Sequence, residues 1–255
     1  MRLTVIGCSG SFAGPHSPAS SYLVQSEVDG RTVSILLDLG SGALGALQRH
    51  LDPAALDAVF LTHLHPDHCV DVLGLHVQRK YRPQGHLSRP LPVWGPPGAG
   101  AWLEGMYIGM PPGGMAAELD FRDLVEAQPV EVGPFTVTPY AVNHPVPSFG
   151  FRVEADGKVL AYTGDTDSCA GLGPLMAGAD LVLTDSAFVD GRDRLSGIHL
   201  SGSRAAQAAV DAGGVRRLML THLPSWNDPE VCRAQAAGIW PGEVELAAPD
   251  TAYDL

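Results

Sequence analysis

Thr62-His63-Leu64-His65-Pro66-Asp67-His68 follows directly on the apolar run Ala58-Val59-Phe60-Leu61. Three imidazoles and a carboxylate fall between positions 63 and 68, immediately behind a segment that reads as a buried strand. A rigid strand ending in a knot of ligand-type side chains presents a metal site at its tip. Imidazole nitrogen combined with carboxylate oxygen suits zinc, manganese or iron. A single histidine in this place would read as a core or cap residue. Three, with an aspartate, do not.

The same arrangement recurs along the chain. The strand-like run Phe135-Thr136-Val137-Thr138 leads to Asn143-His144-Pro145, and Val159 to Thr163 leads to Gly164-Asp165-Thr166. Leu181 to Thr184 ends at Asp185, and Arg217 to Leu220 ends at Thr221-His222. The candidate metal ligands are therefore His63, His65, Asp67, His68, His144, Asp165 and His222. Taken one at a time, His144 reads as a loop residue, His222 as a strand cap and Asp165 as an Asx-turn. Taken together, each follows an apolar strand, and open α/β layers gather sites at strand ends. This many ligands exceeds one tetrahedral site and fits two metals with one shared carboxylate. His16, His50, His76 and His86 lie in plain contexts.

Further strands are expected at Leu3 to Ile6, Tyr22 to Val24, Val33 to Leu37, Leu91 to Pro96 and Val244 to Leu246. Asp29-Gly30 and Asp156-Gly157 read as hairpin turns. The fourth strand is expected to run from Val59 through Thr62. A helix is expected over Asp67 to Lys80, with Val72, Leu75 and Val77 on its apolar face. Others are expected over Ala99 to Met106 and, capped by Ser201, over Gly202 to Asp211. Asn227 with Glu230 resembles a capping box before a last helix. Met106, Met110 and Met115 suit either core packing or a flexible pocket wall. Gly7-Cys8-Ser9-Gly10-Ser11 reads either as a purely structural turn or as a site-lining loop whose glycines let backbone approach a ligand, and in the second case Ser11 is a candidate substrate contact.

Size and charge narrow the function. The chain has 255 residues, 45% of them hydrophobic, enough for a full core in one domain spanning 1–255. Its formal charge of −12 and only 16 Lys plus Arg argue against an extended nucleic-acid footprint. A small anionic substrate remains compatible, because bound cations dominate their local field. Cys8, Cys69, Cys169 and Cys232 form no CxxC pair, so reduced thiols and a cytoplasmic location are expected. The start shows no signal-peptide pattern, and no apolar run is long enough to span a membrane.

THLHPDH matches the HxHxDH signature of the metallo-β-lactamase fold superfamily, and His144, Asp165 and His222 match its later metal motifs in order. This resemblance implies a four-layer αββα sandwich, two mixed β-sheets flanked by helices, with the site at one edge. It further implies two divalent ions, zinc by default and otherwise manganese or iron. His63, His65 and His144 would bind one and Asp67, His68 and His222 the other, with Asp165 bridging. A metal-bridging hydroxide would then attack phosphorus. An aspartate at 165 together with Asp67-His68 resembles the binuclear phosphodiesterase branch more than a zinc β-lactamase.

His199-Leu200-Ser201-Gly202 resembles the histidine motif of the ribonuclease Z-like branch, which makes His199 a candidate for protonating the leaving oxygen. The tRNA-processing enzymes commonly carry a protruding arm. Here twenty residues separate His144 from Asp165, filled mainly by a hairpin. The GCSGS opening, Ser17-Pro18-Ala19-Ser20, Gly45 to His50, and Leu220-Thr221-His222-Leu223-Pro224 with Trp226 resemble actinobacterial enzymes described as atypical cyclic-nucleotide phosphodiesterases. The expectation is hydrolysis of small cyclic nucleotides such as 3′,5′-cyclic AMP, with Asp67 and His199 as catalytic residues. Ser11, Asn143 and His199 are the candidate substrate contacts, and a homodimer is the family-level expectation. Asp38 and the His76/Arg79 face are candidates to support the ligands or line the pocket, although turn-cap and helix-surface readings come first. The alternatives are a ribonuclease Z-type RNA 3′-processing nuclease, a hydrolase of a thioester, lactone or β-lactam, and a metal-stabilised protein without turnover.

Overall fold

The computed structural model describes residues 1–85 and 87–255; His86 lies outside the described residues. Two seven-stranded sheets pack face to face, each half antiparallel and half parallel. The first has the order β14-β1-β2-β3-β4-β5-β6, built from β1 (Arg2–Gly7), β2 (Ser21–Val28), β3 (Arg31–Leu37), β4 (Ala58–Phe60), β5 (Leu91–Gly95), β6 (Leu119–Asp123) and β14 (Thr251–Asp254). The second has the order β13-β12-β11-β10-β9-β8-β7, from β7 (Val130–Val132), β8 (Phe135–Ala141), β9 (Phe149–Ala155), β10 (Lys158–Tyr162), β11 (Leu181–Asp185), β12 (Leu218–Thr221) and β13 (Val244–Leu246).

Three separate apolar clusters show why four layers form. Tyr22, Val24, Ile35, Phe60, Phe135, Phe151 and Leu183 fill the space between the sheets. The opposite-facing residues Leu23, Leu36, Val59 and Val93 pack under α1 (Ala43–Leu47), α3 (Val72–Tyr81) and α4 (Ala99–Met106). Ala161, Val182, Leu218 and Leu220 pack under α5 (Leu172–Met176), α6 (Gly202–Ala212) and α7 (Pro229–Ala237). Alternate residues of the same strand thus serve two cores. The fold is the expected α/β sandwich of two mixed sheets flanked by helices.

Several local expectations need correction, and each has a physical cause. Ladder pairing of β4 stops at Phe60, before Thr62, because the Thr62 N–H donates to the Asp38 carboxylate at 2.7 Å. The helix expected over Asp67 to Lys80 is broken into α2 (Pro66–Cys69) and α3. At the break, His68 O accepts from Leu39 N and Asp71 N donates to Leu39 O, so the loop after β3 takes backbone groups that a continuous helix needs. The buried stripe of α3 is Val72, Leu75, His76 and Arg79, at helical spacing, and it leaves Val77 exposed. His76 faces Glu118, and Arg79 donates to the carbonyls of Glu118 and Arg89. These two residues therefore pin the connection ahead of β6, and Arg79 lines a cavity with Leu56 and Pro90 at the start of β4 and β5, the end remote from His63 to His68. The cap of α7 is Asp228, which accepts from Glu230 N, while Asn227 donates to Ala187 O. Met115 is buried under the first sheet, and Met106 and Met110 pack against the same cluster.

Candidate metal centre

The chain's parallel strands end on one edge, and the turns that leave them converge there. His63 to His68 follow β4, Asp165 follows β10, Asp185 closes β11 and His222 follows β12; His144 comes from the turn after β8. Two glycines permit the close approach. A Cβ on Gly40 would lie 1.9 Å from Asp67 O, and one on Gly10 would lie 2.3 Å from His222 O. The glycines of the first loop thus bring backbone against a site residue rather than directly against a ligand.

The structure gathers all seven sequence-derived candidates into two groups that share Asp165. One is His63, His65, His144 and Asp165; the other is Asp67, His68, Asp165 and His222, with donor atoms in each group within 4.8 Å of one another. His63 Nε2 lies 3.7 Å and His222 Nε2 lies 3.3 Å from Asp165 Oδ2, while His68 Nε2 lies 3.1 Å from Asp165 Oδ1.

The remote ring nitrogens are tied down, which fixes both orientation and tautomer. His63 Nδ1 donates to Thr62 Oγ1 at 3.0 Å, His68 Nδ1 to Asp38 Oδ2 at 2.7 Å, His144 Nδ1 to Ile198 O at 2.8 Å and His222 Nδ1 to Ser20 Oγ at 3.0 Å. Each assignment leaves the Nε2 lone pair facing the carboxylates, the arrangement of histidines that hold metal. Asp38 is the hub of this outer ring. It is fully buried, has φ of 59°, and accepts from Thr62 N, Thr62 Oγ1, His68 and Tyr162 OH.

The residues present fit divalent cations on a direct test. Asp165 Oδ1 and His68 Nε2 are buried without hydrogen-bond partners although only 3.1 Å apart. Two lone-pair atoms buried at this distance need positive charge between or upon them. Without a metal ion, a proton is the substitute. Burial alone would lower the pKa of His68, but Asp165, Asp38 and Asp67 push it well above the ordinary imidazole value. Burial raises Asp67 and Asp165, yet the surrounding imidazoles hold both well below the usual carboxylate range.

His199 stands beside both groups. Its ring centroid lies 5.5 Å from that of His144 and 5.3 Å from that of His222. Nδ1 donates to Asp185 Oδ2 at 2.9 Å, and Asp185 is itself fixed by Thr166 N and Ala187 N. Burial pulls the imidazole down, but the Asp185 carboxylate prevails and raises its pKa to about 9. Arg204 pairs with Asp167, which also accepts from Gly197 N, so the loop that carries His199 is anchored from α6.

Two other candidates differ in detail from the expectation. The Ser11 hydroxyl group is on an exposed residue, and it is the backbone N–H that reaches His222 Nε2, at 3.3 Å. Asn143 is exposed; its backbone engages Thr166 Oγ1 and Asp167 N, which makes it a strut of the His144 turn. Sequence reading named neither Ser20 nor Asp185 as a site residue, and it held Asp38 as a candidate support of the ligands while preferring a turn cap. Asp38 and Asp185 gave only the signal of a short polar residue at the end of a strand, and Ser20 that of a small polar residue just ahead of one.

The arrangement is that of a metal-dependent hydrolase with two cation positions. Comparison with known proteins agrees. The model of the beta-lactamase superfamily domain matches residues 34–223. An uncharacterized protein of Mycobacterium leprae is 40% identical over 260 residues, covering 100% of this chain and 89% of that protein. Ribonuclease Z of Mycobacterium bovis is 29% identical over 275 residues, covering 96% of this chain and 95% of the enzyme. The crystal structure of the metallo-beta-lactamase fold protein YhfI from Bacillus subtilis superposes with a TM-score of 0.86 at 29% identity, over 99% of each chain. With the sheets, the shared aspartate and the matched segment in agreement, this chain belongs to the beta-lactamase superfamily.

Proposed function

We propose that the chain is a binuclear metal-dependent phosphodiester hydrolase. The observation that carries this reading is the Asp185-supported His199 beside two donor groups that share Asp165. His63, His65 and His144 would hold one ion, and Asp67, His68 and His222 the other, with Asp165 common to both. Zinc suits this donor set, and manganese or iron are the variants to test. When bound, such a pair supplies Lewis acidity at a phosphoryl group and an activated water. Asp67 serves the reaction from within the donor set. His199, charged through Asp185, gives its Nε2 proton to the leaving ester oxygen, so the departing group need not leave as an alkoxide. The Ser11 N–H, which points to His222 Nε2 at 3.3 Å, would be released as a neutral donor at the rim once that nitrogen serves as a ligand.

Two substrates fit this chemistry, and different observations favour each. Among relatives named by their reaction, ribonuclease Z of Mycobacterium bovis matches along nearly the whole chain, which favours an RNA 3′-processing substrate over a cyclic nucleotide. The charge of −12 favours a small phosphodiester such as 3′,5′-cyclic AMP. So does the segment between His144 and Asp165, which consists of β9, β10 and short turns laid into the second sheet, with no arm.

A substrate panel decides between them. Metal-depleted protein is restored separately with zinc and manganese and offered cyclic AMP, cyclic GMP, a 2′,3′-cyclic nucleotide, bis(p-nitrophenyl) phosphate and precursor tRNA. A thioester, a lactone and a β-lactam complete the set. Cleavage of the cyclic nucleotides far ahead of precursor tRNA supports the small substrate, and the reverse order supports the nuclease. Hydrolysis of carbonyl compounds alone refutes the phosphodiesterase reading.

A further inference from the structure

Phe12 and Trp226 are 38% and 64% exposed, and their ring centroids lie 4.8 Å apart at an interplanar angle of 49°. Neither ring belongs to any of the three apolar clusters among the described residues. They come from the two loops that frame His222. Ser11 N reaches His222 Nε2 at 3.3 Å, and Phe12 is the next residue, so its Cα is only about 3.8 Å from that of Ser11. Trp226 lies on the turn that follows His222.

Both loops are held firmly. Leu223 N donates to Cys8 O at 3.3 Å, and Ser9 and Leu223 form a β-bridge. Gly10 sits against the His222 carbonyl, where a Cβ would clash at 2.3 Å. Asn227 Nδ2 donates to Ala187 O at 2.8 Å, and Asn227 N to Pro224 O at 2.8 Å. The backbone that carries both rings is therefore fixed beside His222, and the rings leave apolar surface in water.

We propose that Phe12 and Trp226 form a stacking platform for the nucleobase of the substrate, beside the centre that takes its phosphoryl group. The inference deepens the phosphodiester reading and rests on it. Planar aromatic faces stack with any base and do so without hydrogen-bond readout. The tilt lets one ring offer its face while the other closes an edge, a stable aromatic geometry. The sequence neighbours of the pair are Ser11, Ala13, Ser225 and Asn227, small or polar residues that suit a single flat ligand. A neutral base also avoids the repulsion that this acidic chain imposes on additional anionic groups.

The test uses zinc-loaded protein, with binding read by calorimetry for two probes that share a phosphate and a ribose: AMP and ribose 5-phosphate. Trp226→Ala and Phe12→Ala each weaken AMP about tenfold or more while leaving ribose 5-phosphate within about twofold of the parent. Trp226→Phe restores most of the AMP affinity. Both rings are exposed, and an unchanged zinc content confirms an intact centre in each variant. Equal weakening of both probes, or no weakening of AMP, overturns the platform. Because neither probe requires turnover, the two readings fail separately. A chain that holds AMP through these rings yet cleaves no phosphodiester refutes the hydrolase assignment alone. A chain that cleaves phosphodiesters with an unchanged AMP to ribose 5-phosphate ratio refutes the platform alone.

Discussion

At the scale of single residues, the outer ring of partners decides how well the centre works. Asp38 accepts from His68, Thr62 and Tyr162 from a fully buried position. Replacing it with alanine frees the His68 ring and leaves a buried tyrosine hydroxyl unpaired. Asp38→Ala is expected to weaken divalent-metal affinity roughly 10- to 100-fold, measured by chelator competition. His199 tests the chemistry instead. His199→Ala should retain both metals and lose about 10²- to 10⁴-fold in turnover; unchanged turnover removes it from the reaction.

The His199 pair also sets a pH dependence. In the metal-free chain its folded pKa of about 9 lies above the ordinary imidazole value. The stabilising contribution of its pair with Asp185 is thus complete below that ordinary value and disappears as pH rises through about 9. Divalent cations at the two neighbouring donor groups repel the imidazolium and lower this pKa. An NMR titration of His199 should show a midpoint near 9 without metal, falling when zinc is added. A midpoint that does not move places the cations elsewhere. Of the outer partners only Asp38 was legible as a candidate support, and there the turn-cap reading was preferred. Asp38 and Asp185 are each one short polar residue at the end of a strand and Ser20 is one just ahead of β2, and what gives them a role is a histidine 14 to 202 positions away that only packing reveals.

At the scale of elements, tight glycine contacts hold the loops in register. Gly40→Ala would place a Cβ 1.9 Å from Asp67 O, forcing α2 away from the loop after β3. The expected outcome is loss of the ion held by Asp67, His68 and His222, seen as one zinc per chain instead of two by elemental analysis. Two zinc ions bound with unaltered affinity would show that this contact does not set the site. The strands that bear the ligands were readable because each is a buried apolar run closed by a ligand residue. Strands β6, β7 and β14 and helix α5 escaped because they are short and only partly apolar, with Gly173 and Pro174 inside α5. The break between α2 and α3 escaped for another reason: Leu39 competes for the helix's backbone groups, and local periodicity carries no trace of that competition.

At the scale of the whole molecule, the ligands come from the ends of both sheets, so bound metal joins the two halves of the sandwich. A ligand that binds only the folded state adds about 2.7 kcal/mol at a free concentration one hundred times its Kd. Chelation is therefore expected to lower the melting temperature by several degrees, and restoring zinc to reverse the change. An unaltered transition would separate the centre from global stability. Salt dependence reports on the substrate: a small phosphodiester should show a shallow decline of kcat/KM with ionic strength, whereas RNA engaged along a backbone should show a steep one. No helix among the described residues is long and apolar enough to cross a membrane. The fold class was legible through the resemblance carried by the THLHPDH segment and the later ligand motifs, and strands apolar on both faces are consistent with the two-sheet layering.

The wide sequence spacing of the ligands has a consequence for biosynthesis. His63, His65, Asp67 and His68 leave the ribosome first, and His222 follows only after most of the second sheet has been made. At translation rates of about 5–20 residues per second, the interval is on the order of ten seconds. During the earlier part of that time the nascent chain displays a half-built chelator whose imidazoles lack the Asp165 carboxylate, and throughout it they lack His222. Any ion captured then is chosen by intrinsic affinity, which favours copper over zinc. Selectivity for the working metal can be imposed only once the carboxyl-terminal third has folded over it.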